Sequence, residues 1–192
     1  MRIIAMVVPL SLLLAACSSL NPLSSNGKVV DRIPEEPPGW LDVRFEEQGE
    51  RFFAVGNAAR VHNAPACDRR ARADAERNLL RGMAQKAQSE FSSAMPDSEI
   101  SDEVIAQQLS RLGRLVTENL VIDGIIPDGN YLERVFSGSI DNPRYHFNCA
   151  LRISFSVQGY YRARKEALSE LKGSADGPVA DMIAKAVERL NQ

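Results

Sequence analysis

The sequence predicts an α+β domain, a small antiparallel sheet with helices on one side, and three stretches carry that prediction. Residues 145–157 alternate Tyr145, Phe147, Cys149, Leu151, Ile153, Phe155 and Val157 with His146, Asn148, Ala150, Arg152, Ser154 and Ser156. A period of two gives a strand one apolar face that must be buried. From Cys67 the apolar positions recur at every fourth residue, through Ala71, Ala75, Leu79, Met83 and Ala87 to Phe91, the stripe of a long amphipathic helix. Ahead of it, residues 51–58 carry Phe52, Phe53 and Val55 at strand density. A strand, a long helix and then further strands are satisfied when the helix lies across the sheet.

The chain opens on an export signal. Arg2 is followed by an apolar run over residues 3–14, and Leu14-Ala15-Ala16-Cys17 closes it. The run is about half of the roughly 20 residues that a spanning helix needs, so residues 1–16 read as a removable signal peptide. The ending resembles the bacterial lipobox, L-[AS]-[AG]-C, which implies that Cys17 is acylated and becomes the first residue of the mature chain; a secretory signal ending in A-x-A is the alternative. By resemblance to the sorting rule of such lipoproteins, Ser18 rather than Asp behind the cysteine implies the outer membrane. Residues 17–38 then read as the lipidated N-terminus and a disordered tether, rich in Ser, Asn and Pro, including Pro22, Pro34, Pro37 and Pro38. A flexible coil of about 20 residues averages roughly 25 Å end to end.

Residues 39–157 are the predicted domain. Residues 41–46 are a weaker strand candidate, and Gly56-Asn57 leads from the strand at 51–58 into a turn region that ends at Asn63-Ala64-Pro65. The long helix sets Arg69, Arg70, Asp74, Arg77 and Arg81 opposite its apolar stripe, and alanines in its first half allow a close approach to the sheet. Met95-Pro96-Asp97 ends it. Ser101, Asp102 and Glu103 start a second helix with Ile105, Leu109, Leu112, Val116 and Leu120 on one face, folded back on the first. Residues 120–126 and 131–137 are strand candidates separated by a turn at Pro127-Asp128-Gly129-Asn130, and Asp141-Asn142-Pro143 is the next turn. Residues 158–192 form a helical tail in which Asp176-Gly177-Pro178 starts a helix carrying Val179, Ile183, Ala186, Val187 and Leu190. That stripe packs on its own domain or docks on a partner.

The side-chain chemistry points away from catalysis. Basic and acidic residues nearly balance, 23 against 25 with a formal net charge of −2, and they are interspersed, so no nucleic acid partner is expected. His62 and His146 are far apart and lack metal-site spacings, reading as solvated or merely hydrogen-bonded residues; neither a metal nor another cofactor is expected. Asp74 and Glu76 stand two apart on a helix and do not share a face. There is no G-x-S-x-G and no phosphate-cradling glycine loop, and no catalytic residue is expected. Once Cys17 is consumed by lipid, Cys67 and Cys149 remain as an even pair in an oxidising compartment, and both fall on apolar faces of the helix–sheet interface. A disulfide between Cys67 and Cys149 is the hypothesis; two buried thiols are the alternative.

Four segments in order resemble the LPP-twenty lipoprotein family: Pro38-Gly39-Trp40, then Ala54-Val55-Gly56-Asn57-Ala58, then Ala71-Arg72-Ala73-Asp74-Ala75-Glu76-Arg77-Asn78-Leu79, and the strand at 145–153. The resemblance covers roughly residues 40–155. It implies a dodecin-like fold, an antiparallel sheet wrapped on a long helix, and it implies an outer-membrane lipoprotein facing the periplasm. The second helix and the helical tail are additions to that pattern. Members include surface antigens and a flagellar assembly lipoprotein that builds rings or discs around the basal body. The expectation is therefore a non-enzymatic structural or assembly component of the cell envelope, held to outer-membrane lipid through acylated Cys17, with copies of itself or with envelope or flagellar proteins as partners. The alternative is a periplasmic binding module for a small ligand or a partner protein, in which Trp40, Phe52, Phe53, Tyr131 and Tyr145 would line a pocket; the other reading of these aromatics, and the favoured one, is a role in the core.

Overall fold

The computed structural model describes residues 27–96, 99–120 and 124–190. The signal peptide and Cys17 lie outside the described residues. The elements follow as β1 (Lys28–Ile33), β2 (Phe45–Gln48), β3 (Arg51–Val61), α1 (Ala64–Ala94), α2 (Asp102–Asn119), β4 (Ile126–Phe136), β5 (Tyr145–Ser156), α3 (Val157–Gly173) and α4 (Gly177–Leu190). The fold is α+β. The five strands form one antiparallel sheet in the order β1-β4-β5-β3-β2.

Helix α1 is 31 residues long, about 46 Å. Asn63 caps it, its side chain accepting a 2.9 Å hydrogen bond from the Ala66 N–H, and Pro65 sits in the first turn, where its missing N–H costs nothing. The stripe from Cys67 to Phe91 is buried on β3 and β5. The closest approach is at Gly56 of β3, where a Cβ would lie 2.0 Å from the Ala75 nitrogen and 2.2 Å from the Ala71 carbonyl oxygen. Asp74 and Asn78 fasten the crossing: Asp74 Oδ2 accepts from the Asn57 N–H at 3.0 Å, and Asn78 Nδ2 donates to the Val55 carbonyl at 2.8 Å.

Helix α2 packs on α1 and α3, and α4 packs on α1 and α3, so the C-terminal helices fold back on their own domain. Leu168 and Leu171 of α3 and Met182 and Ile183 of α4 join the same core as α1. The tail at 158–192 is therefore part of the domain through Leu190.

Three boundaries differ from the sequence reading. Lys28–Ile33, placed in the tether, is a strand paired with β4 from Lys28 against Phe136 to Ile33 against Leu132. Gly56 and Asn57 do not start a turn; they pair with Leu151 and Ala150 inside β3. Pro127-Asp128-Gly129-Asn130 is not a turn either, because β4 runs through it, with Pro127 opposite Ile153 and an irregularity before Gly129 that leaves Asp128 outside the register.

Strands β1 and β2 are consecutive in the chain yet occupy opposite edges of the sheet. Residues 34–44 therefore cross the face opposite the helices as a strap. Leu41 of the strap is buried against Val55, Tyr131 and Ala150, with Trp40 packed beside them. On this face the polar residues His146, Asn148 and Ser154 of β5 are buried.

Candidate functional site on the strapped face of the sheet

Cys67 in the first turns of α1 and Cys149 in β5 are joined as a disulfide, with an S–S distance of 2.02 Å and Cα atoms 5.8 Å apart. The pair staples the helix to the sheet within the main core.

The five aromatic residues grouped by the sequence do not line one pocket. Adjacent residues of a strand point to opposite faces. Phe52 thus faces the helices, stacked on Phe45 at 5.6 Å and edge-on to Tyr160 at 5.3 Å. Phe53, Trp40 and Tyr131 belong to the strapped face, whereas Tyr145, at the start of β5, points to the opposite side from His146, in edge contact with Phe136 at 5.6 Å.

The strapped face carries three polar groupings along its length. At one end the Arg152 guanidinium lies 4.9 Å from the Phe53 ring centre and 5.5 Å from that of Trp40, and it pairs with Asp128. In the middle, buried Glu133 accepts hydrogen bonds from the Tyr131 hydroxyl at 2.8 Å and from Asn148 Nδ2 at 3.2 Å, while Arg32 Nε of β1 lies 3.4 Å away. Burial, together with the hydrogen bond to Glu133, pushes the Tyr131 phenol up to about 12. Asn148 Oδ1 in turn accepts from the Arg60 backbone N–H at 3.1 Å.

The far end opens as a cleft of about 740 Å³ lined by Arg60, His62, Ser137, Arg144, Tyr145 and His146. Three chain segments meet there: the end of β3, the end of β4 and the start of β5. The Ser137 N–H donates to the Arg144 carbonyl at 2.9 Å and ties two of them together. Arg60 holds a left-handed backbone, φ 56°, where the β3–β5 ladder is irregular between Ala58 and Val61. His146 is 9% exposed; its Nδ1 lies 3.3 Å from Ser137 Oγ, and its buried Nε2 meets no partner among the described residues.

His62 and His146, distant in sequence and read as unrelated, are thus brought to one cleft, together with Arg60 and Arg144, which the sequence reading did not single out. The signal was a repeated Arg-x-His spacing, Arg60-Val61-His62 and Arg144-Tyr145-His146. Asp74 serves the α1–β3 crossing and pairs with Arg77 at 2.9 Å. Among the described residues no group of three or more His, Cys, Asp or Glu is arranged to hold a metal ion. Compared with family models, with curated proteins and with solved structures, the chain matches none.

Proposed function

We propose that this chain is an exported lipoprotein, anchored through an acylated Cys17 in the outer membrane and facing the periplasm, where it acts as a non-enzymatic structural or assembly component of the envelope. The observation that supports this reading most is the Cys67–Cys149 disulfide in a chain that starts with a lipobox-like Leu14-Ala15-Ala16-Cys17. Disulfides persist in oxidising compartments, so the core chemistry agrees with the address. The partner is a second copy or another envelope protein. Edge strand β1 favours such assembly, since its outer side presents unpaired backbone with Val30 and Ile33 about half exposed.

Mass measurement of the mature N-terminus, with and without Cys17→Ala, tests the anchor: three acyl chains on Cys17 are expected, and an unmodified cysteine overturns the reading. Cross-linking in intact cells tests assembly, and a strictly monomeric species removes that part. A deletion scored for swimming and for envelope leakage assigns the place of work. Lost swimming with an intact barrier selects the flagellar basal body, and normal swimming with leakage selects a general envelope role.

A further inference from the structure

The cleft at the far end of the strapped face has the composition of an anion site. Arg60, Arg144, His62, His146, Ser137 and Tyr145 line it, and among the described residues no Asp or Glu does. Among the described residues neither the Arg60 nor the Arg144 side chain pairs with an acid, whereas Arg32, Arg77, Arg152 and Arg164 all do. The carboxylate further along the face, Glu133, is committed to Tyr131, Asn148 and Arg32.

Two observations separate this cleft from an ordinary charged surface. Arg60 is held left-handed, a conformation that costs a side-chain-bearing residue about 1–3 kcal/mol and persists only where surrounding contacts impose it. The Asn148–Glu133 pair imposes it here through the Arg60 N–H. The second observation is His146, nine-tenths buried with an Nε2 unpartnered among the described residues, since a buried polar atom left without a partner costs about 1–3 kcal/mol. A fold that carries both costs in one place has a rim arginine and a wall imidazole set for something absent from the chain itself.

We propose that this cleft binds the phosphate group of a phosphate ester, with Arg60 and Arg144 as the charge-bearing forks and His62, His146 and Ser137 as further hydrogen-bonding groups. A planar guanidinium matches two oxygens of a phosphate at once, and donors from three chain segments suit a tetrahedral anion better than a flat carboxylate.

The place of the cleft indicates the source. Gly27 lies against Val135 and Phe136, Lys28 pairs with Phe136, and Val135 pairs with His146, so the chain enters the fold beside the cleft. From Cys17 to Gly27 the chain spans at most about 35 Å. If Cys17 carries lipid, as proposed above, a headgroup phosphate of the same leaflet is the ligand nearest to hand. Phosphate binding as such does not depend on that reading.

The full chain in a neutral detergent provides the test, because its only two imidazoles are His62 and His146. Titration with inorganic phosphate is expected to shift both sets of imidazole NMR signals saturably, and Arg144→Gln, at an exposed position, to weaken binding roughly tenfold or more with unchanged thermal unfolding. Arg60→Gln serves as the second variant, with the same expected loss. No saturable shift, or equal affinity in Arg144→Gln, overturns the site. Bicelles of phosphatidylcholine with and without phosphatidic acid then distinguish the sources. Shifts that need phosphatidic acid assign the headgroup; shifts with inorganic phosphate alone keep the site and overturn the lipid source. Absence of acyl chains on Cys17 leaves the phosphate titration unaffected, so the two proposals fail separately.

Discussion

Tyr160 of α3 donates a 2.7 Å hydrogen bond to the Glu90 carboxylate of α1, and Arg164 Nη1 reaches the same oxygen at 2.6 Å. Lys86 lies 3.2 Å from the other oxygen of Glu90 and 2.9 Å from Glu47 of β2. One carboxylate thereby ties α1 to α3 and, through Lys86, to the β2 edge. Burial opposes its ionisation, but the hydrogen bonds from Tyr160 and Arg164 outweigh burial and hold the Glu90 carboxyl below its ordinary value.

That direction sets a pH dependence. A carboxyl with a lowered folded value contributes stability that is present above its unfolded pKa of about 4.5 and is lost as pH falls through the folded value. Glu90→Gln is expected to cost about 2–3 kcal/mol at neutral pH and progressively less in acid. Urea unfolding of both proteins across that range checks it, and parallel stability curves would contradict it.

The Gly56 crossing predicts a sharp steric penalty. In Gly56→Ala the new Cβ meets backbone atoms of Ala71 and Ala75, which cannot rotate away as a side chain can. A loss of about 3 kcal/mol or more is expected, or failure to fold. Gly173→Ala, with open space around it, is expected to stay within about 0.5 kcal/mol of the parent. Thermal unfolding of the two variants side by side reads the contrast.

Removing the staple is expected to destabilise without rearranging. The disulfide spans a sequence separation of 82, and closing a loop of that length restricts the unfolded chain, for which about 2–4 kcal/mol is typical. The double variant Cys67→Ala/Cys149→Ala should lose that much in denaturant titrations while keeping its far-ultraviolet circular dichroism.

Tyr131 offers a readout from beneath the strap. With its phenol raised to about 12, stability is fully present below the ordinary tyrosine value near 10 and declines as pH rises through the folded value. In an ultraviolet titration one of the chain's four tyrosines, Tyr131, is expected to ionise near 12, and Glu133→Gln to bring it down by removing the anion that its hydroxyl faces. Ordinary ionisation of Tyr131 in the parent would show that the strap does not seal that face.

The elements with strong internal periodicity were readable before the structure. The stripe from Cys67 to Phe91 and the alternation from Cys149 to Phe155 each bury a continuous row of side chains, so local pattern and global packing agree. Strand β1 had no such pattern, because nearly all its side chains are exposed and it is held by backbone pairing with β4. The two Arg-x-His triplets stand in the sequence, but their meeting in one cleft was not legible there, for a related reason. Arg60, His62, Arg144 and His146 converge through the antiparallel register of β3 and β5, and that register depends on contacts between residues nearly 90 positions apart, such as Ala58 with Cys149 and Val61 with Phe147. His146 was read as solvated or merely hydrogen-bonded, because alternation reports which side of a strand is apolar. It does not report that a later covering will bury the polar side as well.

The strap also orders the assembly of the fold in time. Strand β1 emerges first from any synthesis that runs from the N-terminus, yet its partner β4 begins only at Ile126, and the surface that receives Leu41 is built from β3, β4 and β5 together. Closing so long a loop gains nothing until the far side exists. Strand β1, the first of the described strands, therefore has no seat until β4 has followed it.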